Sequence, residues 1–196
     1  MMKKYIFLPV LVVMLLAGGC SQDFNLEKSV FIEDINNPGL PEYSEWGYNT
    51  FGAYIDRKTF VSDLTDLPSK IIVNKDTFNF LLKGRSNSAD ISLKFSVIGY
   101  SPADYTDLIS LNDSTFNLTG KNCIITLTEP LSTKILTVYE GTLVFKRVQK
   151  LYVDKVLTES ILSGTFNFKT FINAEPVSIS NGRFDVGIGS ENFYKF

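Results

Sequence analysis

From Trp46 to the C-terminus, apolar side chains recur mostly at every second position. Ile91, Leu93, Phe95 and Val97 alternate with Ser92, Lys94 and Ser96. Successive side chains of a strand point to opposite faces, so this stretch predicts a half-buried antiparallel strand. Phe78, Phe80 and Leu82 alternate with Thr77, Asn79 and Leu81. Phe166 and Phe168 alternate with Thr165, Asn167 and Lys169, and Phe184, Val186 and Ile188 with Arg183, Asp185 and Gly187. Further strands are expected at 50–55, 59–62, 69–74, 115–119, 122–128, 134–140, 142–148 and 177–180. The tetrapeptide Thr-Phe-Asn-Phe/Leu begins at Thr77, Thr115 and Thr165, spacings of 38 and 50 residues that make no fixed repeat.

One segment breaks the period. Ser101 can cap a helix, Pro102 suits its first turn, and Asp104 stands three residues on, as in a capping box. Tyr105, Leu108 and Ile109 then share one face, which predicts a short helix near 102–110 that plugs one end of the sheet. Asp56-Arg57-Lys58 carries no Gly, the residue that most favours the tightest two-residue hairpin. Short strands, turn signals and a single helix predict an all-β chain. The expected form is an antiparallel meander forming a β-sandwich or a flattened lipocalin-like barrel.

Before Trp46 the pattern changes. Met1-Met2-Lys3-Lys4 is basic, Tyr5 to Ala17 carries no charge, and Gly18, Gly19 and Cys20 follow. A basic start, a short apolar run and small residues mark a secretory signal. The run falls short of the roughly 20 residues needed to span a bilayer, and Pro9 weakens it as a helix. Asn36-Asn37-Pro38-Gly39-Leu40-Pro41 is dense loop punctuation. The expected organisation is a signal over 1–19, a flexible tether over 20–45 and a single β domain over 46–196.

Composition narrows the chemistry. Two of the 19 basic residues and none of the 21 acids lie in the signal, which leaves a mature formal charge of −4. That balance argues against a nucleic-acid partner. The chain has no histidine, which removes the commonest general base and metal ligand. With Cys20 assigned to export, Cys123 is alone. It shares parity with Ile125 and Leu127 and is expected to point into the core, with no disulfide, zinc site or catalytic thiol. No cofactor, metal or catalytic residue is expected; a two-carboxylate hydrolase is the residual enzymatic option, although nothing pairs the scattered acids. Glu42 and Glu45 read as loop charges. The stretch from Pro41 to Tyr54 holds the chain's single Trp, and Trp46, Tyr48 and Tyr54 are the candidate ligand-binding residues. Such aromatics can stack on a sugar or grip an apolar molecule. Against this stands their ordinary use as core where the tether meets the first strand.

Ala17-Gly18-Gly19-Cys20 resembles the bacterial lipobox, with Ala17 where a Leu is usual. The resemblance implies cleavage before Cys20 and a diacylglycerol on its thiol. Gly39-Leu40-Pro41, Glu45-Trp46-Gly47-Tyr48-Asn49-Thr50-Phe51-Gly52-Ala53, Ser163-Gly164-Thr165-Phe166-Asn167-Phe168 and Asn181-Gly182-Arg183-Phe184-Asp185-Val186 follow in an order that resembles a group of uncharacterised Bacteroidota lipoproteins. That resemblance implies outer-membrane anchoring through Cys20 and a β fold, and it transfers no active residue. The expected function is therefore a membrane-anchored, non-enzymatic interaction or structural module of the cell envelope, with a protein or glycan partner. The alternative is a ligand-binding module for a glycan or an apolar small molecule.

Overall fold

The computed structural model describes residues 29–64 and 66–196. The expected signal, Cys20 and the first part of the tether lie outside the described residues. Alternation becomes register in one sheet of twelve strands. In chain order these are β1 Thr50–Ile55, β2 Lys58–Ser62, β3 Ser69–Asn74, β4 Thr77–Ser86, β5 Ala89–Ile98, β6 Ser114–Asn117, β7 Cys123–Glu129, β8 Ser132–Leu136, β9 Val138–Val153, β10 Val156–Ile172, β11 Glu175–Gly189 and β12 Phe193–Lys195.

Neighbours run β6-β9-β10-β11-β1-β2-β4-β5-β7-β8, with β3 alongside β4 and β12 alongside β3. All pairs are antiparallel except β3 with β12. The sheet stays open between β6 and β8, so the barrel alternative gives way to a sandwich-like, bent sheet. Contacts between strands that are not sheet neighbours show the bend. Phe80 of β4 meets Phe184 of β11 at 5.1 Å between ring centroids, and Phe95 of β5 meets Phe166 of β10 at 5.3 Å. Most of these contacts are edge-to-face or tilted, the arrangement that ring quadrupoles favour. Phe51, Phe60, Phe78, Phe145 and Phe168 complete a core of fully buried phenylalanines.

Primed turns join the hairpins. Asn87-Ser88, Asp154-Lys155 and Asn173-Ala174 each hold both central residues at positive φ, which matches the twist of the flanking strands. Ile55 pairs with Lys58, so β1 and β2 do form a two-residue hairpin. Asp56 takes the positive φ in place of a glycine.

Strands β9, β10 and β11 run longer than the expected segments. Extra residues in β9 opposite Ser163 and Gly164, and in β11 opposite Phe166 and Phe168, change which parity of those two strands faces inward. Strict alternation therefore ends before the strand does. The recurring tetrapeptide has a spatial counterpart. Thr115-Phe116-Asn117 of β6 and Thr165-Phe166-Asn167 of β10 flank the same residues of β9, Val144, Leu143 and Thr142, from opposite sides.

The expected helix is a 3-10 helix over Tyr105–Leu111, capped by Asp104 and not Ser101, with Asp107 closing the capping box. Three residues per turn place Leu108 and Leu111 inward and leave Ile109 exposed, which corrects the α-helical face expected for Ile109. Cys123 is half-buried against the core, and burial pushes its thiol pKa up.

The tether expected over 20–45 is folded from residue 29 onward. Leu40 is fully buried, Glu33 bridges Pro41, and Val30 N–H donates to Tyr48 O at 2.8 Å. This segment lies as a strap on the outer face of β1, β10 and β11. The loop punctuation seen in the sequence makes the reversal at 34–40, where Asp34 N–H donates to Leu40 O and Leu40 N–H to Asn37 O.

Candidate functional site

The strap is held by one carboxylate. Asp185 follows Phe184 in β11 and points to the outer face, yet only 2 % of it is exposed. Its Oδ1 accepts from Gly47 N at 2.9 Å and from Ser163 Oγ at 2.8 Å. Its Oδ2 accepts from Trp46 N at 3.1 Å, Gly47 N and Tyr48 N at 3.0 Å, and Ser44 Oγ. Three consecutive backbone N–H groups converging on one anion form a nest. Gly47 makes the turn possible at φ 77, where a Cβ would also strike Ile161 of β10 at 2.9 Å.

A second clasp lies further down the strap. Arg183 pairs with Asp34, and its Nε donates to Asn181 O at 3.1 Å. Hydrogen bonds from Asn37 and Arg183 lower the Asp34 pKa to about 2. Asn49 Oδ1 accepts from Gly187 N at 2.8 Å.

With its backbone pinned from beneath, Trp46 turns its indole outward at 76 % exposure. Tyr43, Ser44, Glu45, Trp46, Arg147 and Gln149 line an open hollow of about 290 Å³. Glu45 Oε2 pairs with Arg147 at 3.0 Å, and Glu45 Oε1 accepts from the Tyr43 hydroxyl at 2.9 Å. Gln149 Nε2 donates to Glu45 O. The bond from Arg147, then that from Tyr43, lowers the Glu45 pKa. Burial and the adjacent Glu45 hold the Tyr43 hydroxyl protonated well above the usual phenol range. Lys146 Nζ sits 4.8 Å from the Tyr43 ring centroid.

The structure separates the three aromatics grouped by the sequence. Tyr48 gives its N–H to Asp185 and its carbonyl to Val30. Tyr54 donates its hydroxyl to Pro38 O at 2.9 Å and so supports the strap. Neither lines the hollow beside Trp46. Arg147 and Gln149, which do, come from β9, about a hundred residues away in sequence. Asp185 reads in the sequence as the solvated member of an alternating strand. No local pattern marks its burial, because the segment that covers it precedes β1.

A different hollow, of about 370 Å³, brings Glu159 and Glu191 together beside Tyr105 and Asn192. Burial, then the charge of Glu191, raises the Glu159 pKa. Glu191 lies in the exposed turn before β12. Among the described residues no group of three His, Cys, Asp or Glu side chains is placed to hold a metal ion. The core leaves little interior space between Phe60, Leu93, Leu127 and Ile179, an apolar hollow of about 10 Å³.

Compared with family models, curated proteins and solved structures, the chain finds no match.

Proposed function

We propose that the protein is an exported lipoprotein of the bacterial cell envelope, cleaved before Cys20, whose β domain works by contact and not by catalysis. The observation that carries this reading is the filled core. The apolar hollow between Phe60, Leu93, Leu127 and Ile179 measures about 10 Å³, far below the roughly 300–1,000 Å³ of a site for a drug-sized guest. Whatever the domain recognises meets its outer surface. That surface carries exposed apolar side chains suited to contact, including Tyr152, Val153 and Val156 on the β9–β10 hairpin beyond the part of β9 paired with β6.

The residues behind the resemblance to Bacteroidota lipoproteins support the same reading. Leu40, Gly47, Ser163, Arg183 and Asp185 are all engaged in seating the strap. The strap also shortens the leash. Eight residues separate Cys20 from Ser29, and the nine steps along the chain can reach at most about 30 Å. An anchored domain would therefore stay near the bilayer, on the outer membrane as Ser21 after the cysteine suggests. Metabolic labelling with an alkyne-tagged fatty acid in a host with a lipoprotein pathway tests the anchor. The wild-type chain should label and fractionate with membranes, and Cys20→Ser should do neither. Equal labelling of the two chains would refute the anchor.

A further inference from the structure

We infer that the hollow beside Trp46 is a binding site for a neutral saccharide. This goes beyond the anchored-module reading and does not depend on lipid at Cys20.

The first argument is the platform. A large aromatic ring left 76 % exposed gains little from folding. The Asp185 nest holds the backbone of this one in place from below, so the ring's point of attachment is fixed and only its two side-chain torsions remain to be ordered on binding. A flat indole face complements the C–H face of a pyranose, as aromatic side chains complement other flat rings.

The second argument is the polar wall. Arg147 uses Nη1 on Glu45, and its Nε and Nη2 donors have no partner among the described residues. Gln149 gives Nε2 to Glu45 O and keeps Oε1 as an acceptor. Donors and acceptors thus stand side by side at the edge of an apolar plate, the pairing that vicinal hydroxyls require. The Glu45 bridge ties Arg147, Gln149 and Tyr43 into one set, so these groups are fixed relative to each other.

The third argument is charge. The two charged side chains that line the hollow, Glu45 and Arg147, are paired with each other at 3.0 Å, so the lining favours neither an anion nor a cation. An apolar ligand would prefer a deeper, drier pocket than this open hollow.

The chain has one tryptophan, so its fluorescence reports this site alone. The full chain, purified in a detergent without a sugar headgroup, is titrated with short neutral oligosaccharides of glucose, xylose and mannose. At least one should give a saturable shift of Trp46 emission. Calorimetry should then show binding weakened about tenfold or more by Trp46→Ala, as expected for loss of one stacking contact. Gln149→Ala should weaken it less, and Trp46→Phe should retain part of it. Both positions are at least partly exposed, and unchanged melting temperatures would verify that the variants fold. No response to any of these sugars overturns the inference. So does binding that survives Trp46→Ala, or a response only to a sulfated glycan or to a sugar-free envelope protein.

Discussion

Removing the Asp185 carboxylate should release the strap while leaving the phenylalanine core in place. In Asp185→Ala the N–H groups of Trp46, Gly47 and Tyr48 lose their acceptor together, and so do the hydroxyls of Ser44 and Ser163. A buried donor left unsatisfied costs about 1–3 kcal/mol, so three backbone donors put the gross penalty at roughly 3–9 kcal/mol. The strap can lift and give those groups to water, which caps the loss. Lifting exposes Leu40 and Ile161, each worth about 1.5–3 kcal/mol of burial. A net loss of about 3–5 kcal/mol follows, or roughly 6–20 °C in Tm for a domain of this size. Asp185→Asn should cost less. Its amide oxygen can keep the Oδ2 contacts, Gly47 N–H included, while its nitrogen meets the Ser163 hydroxyl, which can turn to accept. The loss is then that of charge assistance and of the second acceptor of Gly47 N–H, which the amide nitrogen faces donor to donor. Hydrogen exchange read by mass spectrometry, with thermal melts, separates the outcomes. Amides over 29–49 should lose protection in Asp185→Ala, while β4, β5 and β10 keep theirs below the melt. Unchanged protection at 46–48, or equal losses for Ala and Asn, would refute the account.

Other expectations concern single groups. Asp34 has a depressed pKa, so its contribution is complete above its ordinary 3.8 and fades as pH falls toward about 2. NMR titration of that carboxyl should show the low midpoint, and Arg183→Gln should raise it. Glu159 has a raised pKa, so the folded state binds its proton more tightly and stability falls as pH rises above the usual carboxylate range. Glu159→Gln should therefore increase Tm at neutral pH and flatten its pH dependence above the usual carboxylate range. Gly164→Ala would place a Cβ 2.0 Å from Val144 O and 2.5 Å from Phe184 Cζ, so it should cost at least about 1–3 kcal/mol in a denaturant melt. Cys123, half-buried and with a raised thiol pKa, should react slowly with a thiol reagent at neutral pH and quickly once the chain is unfolded.

Much of the sheet was legible because one-sided burial leaves a period of two. The strand at 91–97 and the register of Phe78 and Phe80 follow from that rule alone. What escaped is what depends on distant chain. The bulges in β9 and β11 shift parity by one residue, and the 3-10 helix rotates Ile109 outward. The Asn-Pro-Gly cluster was equally compatible with a free tether and with a folded reversal, because turn chemistry specifies local geometry and not what lies beneath it. Of the candidate site, only Trp46 was visible. Its partners Arg147 and Gln149 sit on β9, and the carboxylate that fixes its backbone sits on β11.

The conspicuous motifs have a common physical origin. In β10 and β11, Gly164 pairs with Phe184 while Phe166 pairs with Gly182, a reciprocal exchange in which each ring lies over the opposite glycine. A Cβ at Gly182 would fall 2.3 Å from Phe166 O, so neither glycine can grow without moving a strand. The next residue after Phe184 is Asp185, and the residue before Gly164 is Ser163, its hydrogen-bond partner. The inward positions of the two motifs therefore build the aromatic core, and the outward positions build the seat for the strap. Gly47 and Leu40 are the strap's side of that same contact. On this account the motifs describe a scaffold, and chemistry specific to this chain must be sought in the side chains the scaffold leaves outside. Trp46 is the one such side chain whose backbone is fixed directly by the Asp185 nest while its ring stays in solvent.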